Sequence, residues 1–179
     1  MQENSISLSN LFDGWDGYQM SIIHALQPLA REQLIWRPAP KLRSVGELAG
    51  HIAFARVRWF ARMPAPGSLQ LRQKVEEVGS EAVIAEDRDA IIHWLEITWQ
   101  MIADTLKQWT IQDLSRTYRN AYGGKIYSVS YQWTIWRIKT HDVHHGGEVA
   151  LMLGIQGIEV PELGDLFGHL TMPPLAEQF

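Results

Sequence analysis

Apolar residues return every three or four positions in four separate stretches of the chain, a spacing that predicts four amphipathic helices. Leu11, Trp15, Tyr18, Ile22 and Leu26 mark the first, and Gln27-Pro28 ends it. The second is predicted from Val45 to Arg62, because Ser44 and Glu47 stand at the spacing of a capping box and an apolar run follows. Ile91, Leu95, Trp99, Ile102 and Leu106 define the third, with acids at its start that suit the helix dipole. The fourth is predicted from Ser130 to Met152, with Gly154 placed to end it. Between them, residues 31–43 carry two prolines and read as a loop pinned by Leu34 and Trp36. Residues 63–82 hold Pro64, Pro66 and Gly67 and then turn polar, which reads as a long connection with at most a short helical turn. Gly123-Gly124, flanked by Tyr118, Ile126 and Val129, predicts a small hairpin, and Pro161, Pro173 and Pro174 predict an irregular tail. The expectation is an all-α protein: an antiparallel four-helix bundle with a small hairpin or irregular insertion before its last helix.

With 179 residues, residues 1–179 are expected to form a single domain. Hydrophobic residues at 46% and charged residues at 20% are ordinary globular usage. The start has no basic segment followed by an apolar one, and no stretch is long and apolar enough to span a membrane. The expected location is therefore cytoplasmic, without membrane association. The absence of cysteine excludes disulfides, thiolate metal sites and cysteine nucleophiles, so any metal or acid-base chemistry falls to His, Asp and Glu. A formal charge of −4 lacks the basic field that nucleic-acid binding needs, and Arg56, Arg58 and Arg62 are split between helix faces; no nucleic-acid partner is expected.

The stretch "THDVHHGGEVALMLG" concentrates the candidate chemistry. His141 and His145 are four residues apart and so lie within about 40° of each other on one helix face, the spacing at which two imidazoles can share a metal ion. A third ligand has to come from another helix, and His51, in the apolar run "LAGHIAFA", is the best candidate. His144 rivals His145, pairing with His141 at three residues. The plainer alternative is a core His51 bonded to a carbonyl, with histidines of the fourth helix partly at the surface. His24, His93 and His169 have no comparable companions and read as structural or exposed.

Glu148 lies three residues after His145 on nearly the same stripe, where it could orient a ligand, accept a proton or occupy a coordination position. Arg58 shares the His51 face, and Thr134 and Arg137 share that of His141. Both arginines could anchor an anionic substrate, or form ordinary surface ion pairs. Trp59, Trp133 and Trp136 read as core or interface residues. Gly146-Gly147 inside a helix costs roughly 0.5–1 kcal/mol per glycine relative to alanine, so packing or pocket access has to offset the pair.

"HDVHHGGE", together with "SVGELAGHIAFARVRWF" preceded by "EQLIWRPAP", resembles the DinB/YfiT-like superfamily of metal-binding four-helix bundles. The resemblance implies one metal ligand on the second helix and two on the fourth, carried here by His51, His141 and His145, with helices two and four antiparallel. The usual fourth-helix pattern is similar to His-x-x-x-His-Arg-Gly-Gln; this chain departs from it with Gly146 in place of arginine and Glu148 in place of glutamine. Gly147 matches the family glycine and is expected to let a neighbouring helix come close. By resemblance, the leading expectation is a zinc- or nickel-dependent enzyme that uses a low-molecular-weight thiol as cosubstrate for S-transfer or isomerisation of a small molecule, with Glu148 as a base. A metal-dependent hydrolase is the chemical alternative, and a non-catalytic, stress-associated metal-binding bundle the other class. A homodimer fits the family and the eight tryptophans.

Overall fold

The computed structural model describes residues 7–164, so His169, Pro173 and Pro174 lie outside the described residues. Four long helices form the bundle: α2 (Trp15–Leu26), α4 (Val45–Phe60), α6 (Arg88–Gln108) and α7 (Tyr131–Ile155). Shorter helices α1 (Leu8–Leu11), α3 (Arg31–Ile35), α5 (Ser68–Val78) and α8 (Pro161–Gly164) and one hairpin, β1 (Thr117–Tyr122) and β2 (Lys125–Ser130), complete the described chain. No described helix is long and apolar enough to cross a membrane.

Three of the four long helices, α4, α6 and α7, begin where side-chain capping places them, while α2 follows Gly14 without a side-chain cap. The Ser44 hydroxyl accepts from Glu47 N at 3.2 Å while the Glu47 carboxylate accepts from Ser44 N at 2.9 Å, the reciprocal box expected from the sequence. The Asp87 carboxylate accepts from the backbone N–H groups of Asp89 and Ala90, and the Ser130 hydroxyl from that of Trp133, which starts α6 and α7. The predicted hairpin is present, antiparallel with Tyr122 opposite Lys125 across Gly123-Gly124. Both glycines have positive φ, as a two-residue turn of this hand requires.

Several boundaries differ from the sequence reading: α4 ends at Phe60, and the tail read as irregular opens with the short helix α8 at Pro161. The first predicted helix is broken into α1 and α2 by a turn through Gly14, and Leu11 faces solvent. Residues 31–35 of the predicted loop are helical, although Leu34 is buried and Trp36 packs on the core as expected. The predicted connection contains the eleven-residue α5. Leu71, Val75 and Val78 give it a narrow apolar stripe against the core, and Arg72–Glu76 and Gln73–Glu77 pairs four residues apart support its polar face. Finally, α7 continues through Gly154. Ile158 N bonds back to Leu153 O at 2.9 Å and Gly157 N to Gly154 O at 3.0 Å, a Schellman closure in which Gly157, at φ 76°, takes the left-handed position.

The apolar interior has two parts. One gathers Ile22, Leu26, Ile52, Leu95, Val149 and Leu153; the other gathers Trp15, Phe60, Ile102, Ile135 and Ile138. Between Ile138 and Val149, α7 contributes no residue to either, and its inward positions are His141, Asp142, His145 and Gly146. The candidate site lies in this polar layer.

Candidate metal centre

His51 on α4 comes together with His141 and His145, which lie one turn apart on α7. One ring nitrogen from each lies within 4.8 Å of the others. His51 Nε2 and His141 Nε2 face each other at 3.2 Å, and the His145 ring stands edge-on to both, its centroid 5.0 Å from that of His51 and 4.3 Å from that of His141. All three are partly buried. Two lone-pair nitrogens this close repel unless a proton or a cation lies between them, so the arrangement fits a shared divalent ion.

The outward nitrogens of two rings are held by carboxylates. His51 Nδ1 donates to Glu81 Oε1 at 3.2 Å, and His145 Nδ1 to Glu148 Oε2 at 2.7 Å. A carboxylate on Nδ1 keeps the proton there and turns the Nε2 lone pair toward the cluster, the usual outer support of a metal-bound histidine. His144, the rival ligand, stays out of the triad; it is exposed, with Nε2 3.4 Å from Glu148 Oε1. A second grouping of His144, His145 and Glu148 also satisfies ligand spacing, but it shares His145 with the triad and sits at the surface edge.

The electrostatics favour the neutral form of two of the imidazoles, His141 and His51. Burial, and then the neighbouring His145, His51 and Arg137, push the His141 imidazole down to about 3. Burial, Arg43 and His145 also lower that of His51, against the opposing pull of Glu81. Burial pushes the Glu81 carboxyl up, yet a backbone N–H, Arg58 and His51 together hold it below the usual carboxylate range. It therefore remains an anion beside His51.

Two acids of this layer were passed over in the sequence reading. Glu81 sits in a short 3-10 turn, Glu81–Val83, within the stretch read as connection. It reaches His51 because Gly46 and Gly50 leave a bare strip on α4: a Cβ at Gly46 would stand 1.9 Å from Ala85 O, and one at Gly50 would stand 3.1 Å from Glu81 Cβ. Nothing local in the sequence marked it. Asp142 is fully buried next to His141, accepting from Trp15 Nε1 at 2.9 Å and Arg56 Nε at 3.0 Å. Burial pushes its carboxyl up, and the Arg56 guanidinium and Trp15 N–H pull it back. The available signal was Arg56 itself, a charge inside the apolar run "IAFARV" that demanded a buried partner.

The remaining expectations divide. Arg58 is in an ion pair with Glu81 at 3.6 Å, whereas Arg137 lies over the rings of Trp59 and Trp133. Thr134 is buried against Tyr118. Trp133 and Trp136 are exposed and outside the core. The close approach expected at Gly147 occurs at its neighbour instead: a Cβ at Gly147 meets open space, while one at Gly146 would stand 2.1 Å from Tyr18 Oη. Gly146 is the close-approach glycine, and Tyr18 fills its groove and donates to Val143 O at 3.0 Å.

The DinB superfamily model matches residues 16–149, and the chain belongs to that superfamily. Its fold is similar to the crystal structure of a DinB-like protein from Bacillus cereus, with a TM-score of 0.64 at 17% identity, covering 82% of this chain and 91% of that one. No curated protein matches significantly.

Proposed function

We propose that this protein is a metal-dependent enzyme that holds a divalent ion, zinc or nickel, on His51, His141 and His145 and uses a low-molecular-weight thiol as cosubstrate in S-transfer or isomerisation of a small molecule. The observation that carries the reading is the convergence of three imidazoles from two helices, two of them braced by carboxylates. Three histidine donors are fewer than a zinc-type ion takes, so the donor set suits an open, catalytic site. A bound ion supplies Lewis acidity that makes a thiol, or a water, acidic near neutral pH.

The chain's own groups divide the remaining work. Glu81 and Glu148 orient His51 and His145. We assign Glu148, which is partly open to solvent, a second role as the base that takes the thiol proton and releases it to water. Because Glu148 braces the outer nitrogen of His145, its position favours the open site over a closed, purely structural one. Hydrolysis remains the chemical alternative, since the same base serves water. The reading includes a cytoplasmic protein with no nucleic-acid partner. It also includes a homodimer, for which exposed Trp136, Val143, Leu151 and Ile155 supply apolar surface along α7.

The test is metal content by elemental analysis of untagged protein, wild type against His51→Ala and His145→Ala, followed by thiol titration of the cobalt-substituted protein. Near-stoichiometric metal lost in both variants, with a thiol-dependent change in the cobalt spectrum, is the expected result. Wild type that neither carries metal nor binds added zinc, nickel or cobalt overturns it.

A further inference from the structure

The antiparallel register of α4 and α7 continues beyond the histidines. His51 faces His141; eight residues further along α4, Trp59 packs on Trp133, eight residues earlier in α7, with ring centroids 5.6 Å apart. Arg137 lies midway, one turn or about 6 Å before His141. On this side the hairpin stands off the bundle and encloses, with Trp59, Trp133 and Arg137, a cleft of about 570 Å³ further lined by Asn120, Tyr122 and Tyr127. That volume suits a small organic molecule.

The cleft combines wetted aromatic walls with unanswered positive charge. Trp133, Tyr122 and Tyr127 are 47%, 77% and 47% exposed, large apolar surfaces that a flat ligand would cover. The guanidinium of Arg137 lies 4.8 Å from the Trp59 ring centre and that of Arg62 4.1 Å from it, so two cations flank one indole. Among the described residues neither has a carboxylate in ion-pair reach, whereas Arg58 on α4 is neutralised by Glu81. A charge held by aromatic faces, beside a cavity and without a protein counter-ion, suits an anion from outside.

We infer that this cleft binds a planar aromatic carboxylate, its ring against Trp133 and the hairpin tyrosines and its carboxylate on Arg137, with a reactive substituent extending one helical turn toward the histidine cluster. As a substrate site it rests on the enzyme reading above; as a binding site it does not require the metal.

The test is titration of chelator-treated, full-length protein with 2-naphthoate and with its neutral isostere 2-naphthamide, followed by tryptophan fluorescence and calorimetry. The acid is expected to bind one to one and at least tenfold more tightly than the amide. Arg137→Gln should remove that preference, and Trp133→Ala should weaken both probes. Absence of saturable binding, or equal affinity for acid and amide in wild type, overturns the inference even if Arg137→Gln fails to fold. Acid binding to metal-free protein alongside a failed metal analysis would leave the cleft standing and sink only the enzyme reading.

Discussion

Arg56 and Asp142 meet in the interior with no solvent exposure on either side chain, Nη2 lying 2.8 Å from Oδ2, and they join α4 to α7 one residue from His141. Trp15 Nε1 donates to the same carboxylate and Arg56 Nη1 to Leu95 O at 3.3 Å, so the pair ties all four long helices at the layer of the histidines.

Breaking that pair from one side leaves an uncompensated buried charge. Asp142→Leu should destabilise the fold by about 3–5 kcal/mol, while the double variant Arg56→Met, Asp142→Leu should recover most of the loss. Urea denaturation of the two variants and wild type checks this; a double variant no more stable than the single one contradicts it.

The adjacent glycines should respond in opposite directions. Gly146→Ala drives a methyl into the Tyr18 ring and breaks its bond to Val143 O, at a cost of about 1–3 kcal/mol. Gly147→Ala adds a methyl in open space on a helix and should stabilise by roughly 0.5–1 kcal/mol. Thermal melts of the two single variants decide it.

Glu81 should matter to metal affinity far more than to folding. Glu81→Gln keeps the shape but withdraws the anion that fixes the His51 tautomer, and affinity should fall roughly 10- to 100-fold. Competition against a chromophoric chelator reads the affinity, and circular dichroism reports the fold. Metal at a hundred times its dissociation constant should in turn stabilise wild type by about 2.7 kcal/mol.

The metal-free protein should weaken in acid. Folded His141 titrates at about 3, and His51 is also lowered, whereas in the unfolded chain both titrate near 6.5. Between those values the unfolded state binds more protons, so stability rises with pH across the window and is lost as pH falls from 6.5 toward 3. The melting temperature should be several degrees lower at pH 5 than at pH 7.5, and His141→Gln should narrow the gap. A temperature that stays level would contradict the burial of these rings.

Periodicity and spacing alone determined the four long helices, the capping at Ser44, the hairpin at Gly123-Gly124 and the grouping of His141 with His145. These features depend on residues a few positions apart, and local geometry translates such spacing directly into a shared face or a closed turn. His51 was legible as a candidate because a polar ring in an apolar run needs a partner. Only the tertiary structure decided which groups complete the layer. Glu81 arrives from thirty residues away over the bare strip at Gly46 and Gly50, Asp142 finds Arg56 across the bundle, and Tyr18 rather than a helix backbone occupies the space at Gly146. Each of these depends on which atoms two distant segments bring within a few ångströms, and the packing of the whole bundle sets that distance.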